Sequence, residues 1–326
     1  NCRLGALKRF CCEQATGDVF VELDHDDLLA PGLLEAVAGC VKHGAGFVYS
    51  DTASFLDDIP RTPYAFSPDF GWETYQLVSN YRNYTAMRCF DIDPRSLCEI
   101  YYCPDHVRCW TREAYEKAGG HNPEMAVADD HELVIRTYLA GVKFQHTGSC
   151  GYFYRRHESN TYAKQSEQVQ KQQAANRDKY LHALIDEWLR RHDKKFLDVS
   201  AEHVDYGEHA VRIQADDNSL GCLRCYGDRL SRFTPTQCQR FMEEAYRVLE
   251  PNGWLCLSTP SSDGRLAFGP QYRSWHNEHT FEYYTNREYA VQLGPLDCRF
   301  QAVRVQTYEK TPEYPSRRSY YVYADL

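Results

Sequence analysis

The chain has 326 residues and a formal net charge of −9, with 43% hydrophobic and 25% charged residues. This composition is typical of a globular protein of about two domains, and it excludes a disordered chain, a collagen and a coiled coil. Because domains that bind phosphate backbones are usually basic, the acidic balance argues against duplex nucleic acid as the main ligand.

The lack of a recognisable targeting signal and the pattern of cysteines both predict a cytoplasmic protein. No apolar run approaches the roughly 18 residues of a membrane span, and residues 1–10 hold no apolar signal-peptide core. The 14 cysteines are scattered, which is typical of reduced and buried thiols. Cys222 and Cys225 have the spacing of a zinc-ligand pair, but no second pair accompanies them, so zinc is only a minor alternative.

Helical and strand patterns alternate in the first part of the chain. Gly17 ends the first predicted helix, and Pro31 starts the second. The predicted helices cover residues 5–16, 31–44, 111–118 and 130–140, and the predicted strands cover 19–23, 46–51, a segment ending near 108, 144–148 and 151–157. Residues 55–100 give no clear pattern. The order predicts an α/β fold with parallel strands.

A second α/β pattern follows a long polar helix. Residues 164–195 carry one apolar stripe, which predicts a connecting helix. Beyond it, a strand is predicted over 196–199, a helix over 235–249 and a strand over 254–260. We therefore divide the chain into a first domain over residues 1–190 and a smaller, Rossmann-like domain over residues 191–326.

Three aspartates follow the first predicted strand directly. Asp24, Asp26 and Asp27 come after the apolar run 19–23, and ligands bind outside the carboxyl ends of strands in open α/β sheets. Clustered carboxylates repel each other unless a positive charge neutralises them, as a divalent cation carrying a diphosphate does. Helix capping is the alternative, although one aspartate would satisfy it.

The stretch 5–37 resembles the core of family 2 glycosyltransferases of the GT-A fold. It has their helix, their A-x-G-[DE] turn, an apolar strand, a DxD motif and a helix started by proline. The resemblance implies a GT-A domain with a mostly parallel sheet. It also implies that Asp26 and Asp24 bind Mn²⁺ or Mg²⁺ and the diphosphate of a nucleotide-sugar donor, with a UDP-sugar expected. Asp27 and Lys8 are further candidates for donor binding.

The family's first strand would precede Asn1. Since the chain also starts without methionine, we interpret it as a trimmed or partial product.

A second acidic motif opens the helix predicted over 130–140. Asp129 and Asp130 follow a Gly-Gly pair, and Arg136 lies six residues beyond Asp130. Acids at a helix start are also explained by the helix dipole alone. The family carries the same succession of glycines, acidic pair and arginine. The resemblance implies that Asp130, with Asp129 as second candidate, is the base that deprotonates the acceptor hydroxyl in an inverting displacement.

Two basic segments complete the sites implied by the resemblance. His106 and Arg108, with Arg136, are expected on the acceptor side, and a salt bridge at a strand end explains the first two equally well. Arg155, Arg156 and His157 match the family's Y-x-R-x-H stretch, which implies contact with the donor diphosphate. A solvated basic loop is the alternative there. The expected acceptor is a glycan or a lipid-linked sugar, and a hydroxylated DNA base is a remote alternative.

The second domain resembles a class I S-adenosylmethionine (SAM) methyltransferase over residues 241–260. The glycine-rich loop that should follow the strand 196–199 is absent, so the domain is expected to be degenerate and SAM binding is doubtful. The expected function is therefore a metal-dependent glycosyltransferase. The alternatives are a bifunctional glycosyltransferase and methyltransferase, and a non-catalytic scaffold on a dead transferase fold.

Overall fold

A computed structural model describes residues 3–56, 71–79, 82–100, 103–158, 160–207, 210–294, 298–310 and 319–326. The chain divides into two compact units, Asn1–Glu187 and Trp188–Leu326, which we call unit 1 and unit 2. Each unit carries its own sheet with helices, so the chain is a mixed α/β protein.

Six helices are assigned within the described part of unit 1, and the last continues past Glu187. They are α1 (Leu4–Gln14), α2 (Leu33–Lys42), α3 (Pro94–Glu99), α4 (Arg112–Lys117), α5 (Asp129–Leu139) and α6 (Thr161–Arg191). The apolar periodicity explains their packing. In α2, for example, the buried residues Leu33, Val37 and Cys40 fall at i, i+4 and i+7.

The described strands of unit 1 form one sheet. They are β1 (Val19–Val21), β2 (Leu28–Leu29), β3 (Phe47–Leu56), β4 (Thr74–Ser79), β5 (Arg82–Met87), β6 (Arg108–Thr111) and β7 (Phe144–Arg156). Their order is β1-β6-β3-β5-β4, and β7 pairs with both β3 and β2. The two extended segments predicted over 144–148 and 151–157 are thus one long strand, and β6 begins where the sequence predicted a strand to end.

The sheet of unit 1 is mixed, which corrects the expectation of a mostly parallel sheet. Among the described strands, only β3 and β7 pair in parallel, and the other ladders are antiparallel. The reason is that β6 enters between β1 and β3 in the opposite direction, while β4 and β5 form a hairpin. Since β1 and β3 are both antiparallel to β6, the carboxyl ends of β1, β3 and β7 share one edge.

The core of unit 1 fixes α5 against the sheet. Trp110 on β6 is almost fully buried and packs edge-on against Phe47 of β3, with ring centroids 4.9 Å apart. The indole nitrogen of Trp110 donates a hydrogen bond to Thr137 Oγ1 on α5 at 3.0 Å. A buried indole needs such a partner. The contact therefore determines where the first residues of α5 lie relative to β6.

Unit 2 contains seven described strands and four described α-helices. They are β8 (Phe196–Asp198), β9 (Val204–Tyr206), β10 (Val211–Ile213), β11 (Leu220–Cys225), β12 (Leu249–Pro260), β13 (Arg304–Lys310), β14 (Ser319–Asp325), α7 (Arg229–Arg232), α8 (Pro235–Val248), α9 (Glu278–Thr285) and α10 (Arg287–Ala290). In the five-stranded sheet, ordered β13-β14-β12-β11-β8, the last three strands are parallel. Antiparallel β14 and β13 complete it.

The helix predicted over 235–249 is observed as α8. Thr234 caps it, because its side chain accepts from the backbone of Gln237, and Pro235 occupies the first turn. Its inner face buries Phe241, Met242 and Ala245 against the sheet. Unit 2 therefore has a core of its own.

The CxxC pair of unit 2 lies on a strand, where it does not form a ligand pair. Cys222 and Cys225 are both buried on β11, and residues three apart on a strand point to opposite faces of the sheet. The cysteines of the described residues are free thiols.

Within the described ranges, no helix is both long enough and apolar enough to cross a membrane.

Candidate functional site

The candidate residues of unit 1 gather at the sheet edge where β1 and β7 end. Four segments meet there: residues 22–27 after β1, residues 105–108 leading into β6, residues 154–157 at the end of β7, and the start of α5. Since β1 and β7 run in the same direction, the acidic and basic residues that follow them are brought to one place.

Asp26 and His157 form a close pair across the β1 and β7 ends. Asp26 Oδ2 lies 2.5 Å from His157 Nε2, and about a quarter of each side chain is exposed (21% and 27%). Burial opposes ionisation of Asp26, but the hydrogen bond from His157, together with smaller contributions from the backbone and from the neighbouring imidazoles, keeps the pKa of Asp26 below its usual value. Asn160 fixes the turn by accepting from the His157 backbone at 2.7 Å. The pair thus lies at the surface of the strand ends, with both side chains partly accessible to solvent.

Asp24 and Asp27 have different surroundings. Asp24 is partly exposed, and its Oδ2 lies 3.7 Å from His106 Nε2. Asp27 is buried, and it accepts from the Arg155 backbone at 2.7 Å and from the Tyr152 hydroxyl at 2.8 Å. Burial nonetheless raises the pKa of Asp27 to about 6. Asp27 therefore ties the turn after β1 to β7, while Asp24 is accessible.

Arg155 borders the Asp26 pair. Arg155 Nε donates to the backbone oxygen of Asp26 at 2.8 Å, and its guanidinium lies 4.6 Å from the centre of the Phe55 ring. The guanidinium of Arg156, the next residue of β7, lies 4.7 Å from the centre of the Tyr154 ring. Of the two arginines, Arg155 is therefore the one in contact with the turn that carries Asp26.

Arg108 holds two carboxylates together beneath this edge. Its side chain is 3% exposed, with Nε donating to Glu22 Oε2 and Nη2 donating to Asp130 Oδ2, each at 2.6 Å. Burial alone would raise the pKa of either acid. The guanidinium and the Lys8 ammonium together, with smaller contributions from their neighbours, outweigh burial and hold the pKa of Glu22 and of Asp130 well below the usual range. Asp130 is therefore ionised at neutral pH.

Glu22 is the residue of this charged cluster that the sequence analysis did not identify. It accepts from Arg108 on one oxygen and from Lys8 Nζ at 2.6 Å on the other. The available signal was an acidic residue inside an otherwise apolar strand run, which demands a buried cationic partner. Lys8, expected at the donor, thus contacts Glu22 rather than the Asp26 pair.

His106 connects the aspartates after β1 with Arg108. Its ring stacks on Tyr152, with centroids 4.8 Å apart. Arg108 Nη2 lies 2.7 Å from His106 Nε2, and since the guanidinium can only donate, we assign Nε2 as the acceptor and place the proton on Nδ1, 3.3 Å from Asp105 Oδ1. The imidazole is therefore held from both sides.

Two groups of potential metal ligands differ in whether a cation already neutralises them. Glu22, His106 and Asp130 have ligand atoms within 4.8 Å of one another. Arg108 contacts all three, so their charge is satisfied by the protein itself. Asp26 and His157 instead contact each other directly, and each side chain is about a quarter exposed. Their oxygen and nitrogen donors fit a divalent cation.

Asp129 and Arg136 lie away from this charged cluster. Asp129 is fully buried, with its Oδ2 2.8 Å from His121 Nδ1. Arg136 donates to the backbone oxygen of Gly120 at 2.7 Å and to Glu132 Oε2 at 2.7 Å, which holds the glycine turn before α5. Of the acidic pair, Asp130 is the member that reaches the sheet edge.

Comparisons with known proteins found little that is similar to this chain. A search with protein-family models and a search of curated proteins each found no match. Among solved structures, the chain is similar to the crystal structure of a SAM-dependent methyltransferase from Aquifex aeolicus, at 16% identity and a TM-score of 0.24, covering 60% of this chain and 76% of that chain. A similarity this low assigns no activity to the chain.

Proposed function

We propose that unit 1 is a metal-dependent glycosyltransferase, moving a sugar from a nucleotide-diphosphate donor to an acceptor hydroxyl. The supporting observation is that two acidic motifs far apart in sequence lie at one sheet edge. Arg108 Nη2 lies 2.7 Å from His106 Nε2 and donates to Asp130 Oδ2 at 2.6 Å, and Asp24 Oδ2 lies 3.7 Å from the same nitrogen of His106. Accessible carboxylates near an ionised carboxylate are what a single displacement needs.

Asp26 and His157, with Asp24, would hold the cation. Mg²⁺ prefers oxygen ligands, whereas Mn²⁺ also accepts imidazole, so His157 favours Mn²⁺. When bound, such an ion stabilises the charge that develops on a diphosphate leaving group. The guanidinium group of Arg155 borders the same pair and adds positive charge where the diphosphate would lie, and we propose Arg156 at the end of β7 as a second donor-side cation.

Asp130 would accept the proton of the acceptor hydroxyl. Its side chain is 24% exposed, at the N-terminus of α5, where the helix dipole also favours the ionised form. Because Arg108 lowers the pKa of Asp130, the carboxylate is a weak base. We therefore expect the proton to move late, once bonding to the sugar has made the hydroxyl acidic. The acceptor class we propose is a glycan or a lipid-linked sugar.

We propose no SAM-dependent catalysis for unit 2. β8 ends at Asp198 and is followed by a short 3-10 turn over Ala201–His203. Residues 199–206 contain no glycine, so the backbone after β8 lacks the residue type that permits close approach to a cofactor. A supporting or acceptor-presenting role is the proposal for this unit.

Electron paramagnetic resonance of Mn²⁺ tests the donor site. We expect the free-ion signal to fall when the chain is added together with a nucleoside diphosphate, and to recover in Asp26→Asn. Asp18→Asn is the matched control, because Asp18 is an exposed aspartate just before β1, beyond the opposite end of that strand. A signal that the chain leaves unchanged with every nucleoside diphosphate would contradict the proposal.

A further inference from the structure

The hydroxyl of Tyr152 contacts both ends of residues 24–27, which we call the acidic turn. Tyr152 lies on β7 and its side chain is fully buried. Its oxygen accepts a hydrogen bond from the backbone N–H of Asp24 at 3.1 Å and donates one to Asp27 Oδ2 at 2.8 Å. A phenol can donate and accept at the same time. One buried oxygen therefore joins the first and the last residue of the turn that carries Asp26.

Two further hydrogen bonds hold the acidic turn, and they act on different parts of it. The backbone N–H of Asp27 donates to the backbone oxygen of Asp24 at 3.2 Å, which closes the turn on itself. Asp27 Oδ1 accepts from the backbone N–H of Arg155 at 2.7 Å, which attaches the last residue of the turn to β7. The Tyr152 hydroxyl attaches the first residue, Asp24, to the same strand. Both ends of the turn are thus fixed to β7.

The ring of Tyr152 has a separate neighbour. It stacks on the imidazole of His106, with centroids 4.8 Å apart and an angle of 22° between the planes. His106 in turn lies 2.7 Å from the guanidinium of Arg108, which donates to Asp130. Phenylalanine would keep the ring contact and remove only the hydroxyl. The two contacts of Tyr152 can therefore be separated by a single substitution.

We propose that Tyr152 is a positioning residue of the cation site, and that its hydroxyl fixes the acidic turn so that Asp24 and Asp26 are presented together to the ion. This inference rests on the proposed function, because it concerns the same cation site. Residues that orient metal ligands without touching the metal typically change its affinity by about 10- to 100-fold. A turn that is already held in place also loses less conformational freedom when the ion binds.

The surroundings of Tyr152 make it a support for the ligands rather than a ligand. The side chain is fully buried, and the hydroxyl already donates to Asp27 and accepts from Asp24. Burial, together with the negative charge of Asp27, raises the pKa of Tyr152 far above its usual value, so the phenol stays protonated at neutral pH. It therefore acts on the ion through the aspartates.

Tyr75 provides a matched control in the same sheet. It lies on β4, and its hydroxyl donates to Asp51 Oδ2 on β3 at 2.9 Å. Asp51, like Asp27, is buried and also accepts from a backbone N–H, that of Cys89 at 2.8 Å. Tyr75→Phe therefore removes the same kind of hydrogen bond as Tyr152→Phe, but between two strands and outside the acidic turn.

Titration of the full chain with Mn²⁺, followed by electron paramagnetic resonance, tests the proposal. The titration would be done with UDP, GDP, ADP or CDP present, and urea unfolding of each variant would be measured alongside. We expect Tyr152→Phe to weaken Mn²⁺ binding by at least about tenfold, and Tyr75→Phe to leave it within about twofold of the unsubstituted chain. The urea midpoints of the two variants should fall by similar amounts, because each loses one hydrogen bond to a buried aspartate.

The outcomes separate this inference from the proposed function. If the unsubstituted chain binds Mn²⁺ and the two variants bind it equally well, the positioning role is overturned while the proposed function stands. If the unsubstituted chain binds no Mn²⁺ with any of the four nucleotides, the proposed function is contradicted, and this inference with it. Loss of Mn²⁺ binding in Tyr152→Phe alone, at similar urea midpoints, is the result that supports the positioning role.

Discussion

Arg108 donates a hydrogen bond to Asp130 at 2.6 Å, and this contact connects the strand β6 to the N-terminus of α5. The same guanidinium binds Glu22 after β1, so one buried cation links three elements of unit 1. It keeps the pKa of Asp130 low and orients its carboxylate. The geometry of the candidate base thus depends on a residue 22 positions away in sequence.

Arg108→Met should destabilise unit 1 by about 3 kcal/mol, because it removes the cation that Glu22 and partly buried Asp130 share and leaves Asp130 without it. Urea unfolding followed by circular dichroism measures the change. Arg88→Met is the control: its ion pair with Glu73 is exposed, so its loss should cost at most about 1 kcal/mol. Equal stability of the two variants would contradict the assigned role of Arg108.

Asp130→Asn should lower sugar transfer by about 10²- to 10⁴-fold while leaving donor affinity within a few-fold, because an amide cannot accept the proton. Release of nucleoside diphosphate and donor titration give the two values. Asp178→Asn on α6 is the matched control, since that aspartate pairs with Arg177 away from the cluster. Transfer by Asp130→Asn at the rate of the unsubstituted chain would exclude this carboxylate as base.

The stability of unit 1 should fall as the pH rises from 6.5 to about 9. The pKa of His121 is raised to about 9 in the folded state, against 6.5 in an unfolded chain. The folded state therefore binds more protons across this window, and the ion pair with Asp129 is fully present only below it. The loss amounts to about 3 kcal/mol at most. In urea unfolding, the stability of His121→Gln should depend less on pH across this window. A stability of the unsubstituted chain that rises from pH 6.5 to about 9 would contradict the prediction.

Unit 2 should respond to acid through His276. This side chain is buried and hydrogen-bonded to Ser274 at 2.9 Å, and burial lowers the pKa of His276 to about 4. The unfolded chain binds more protons between pH 4 and 6.5, so stability falls as the pH is lowered through that window, by up to about 3 kcal/mol. Unfolding followed by intrinsic fluorescence measures this fall in stability, and the His276→Gln variant should not show it.

The sequence identified local elements well. The strand before Asp24 and the helix that opens at Asp129 both have strong periodicity and clear start and stop residues, and both are observed near the expected positions. The helix caps of α8 were likewise local signals. Such features depend on neighbouring residues alone, which explains why they can be read from one sequence.

Contacts between strands and side chains that are distant in sequence could not be predicted in the same way. The direction of β6 depends on how the chain returns through α3, and β4 and β5 lie in a segment whose aromatic and proline content hides the alternation. The partner of Glu22 is likewise a residue 86 positions away. The burial of Asp129 also follows from the approach of His121 and α1, and no local pattern distinguishes it from its partly exposed neighbour Asp130.

Thermal stabilisation by nucleotides tests the proposed function most directly. The chain would be heated with a panel of nucleoside diphosphates and nucleotide-sugars, with and without Mn²⁺, beside Asp26→Asn and the control Asp18→Asn. The account predicts a Mn²⁺-dependent gain of about 2.7 kcal/mol at 100 times Kd, retained in Asp18→Asn and lost in Asp26→Asn. No stabilisation by any nucleotide with Mn²⁺, or an equal gain in Asp26→Asn, would contradict a donor site at Asp26 and His157.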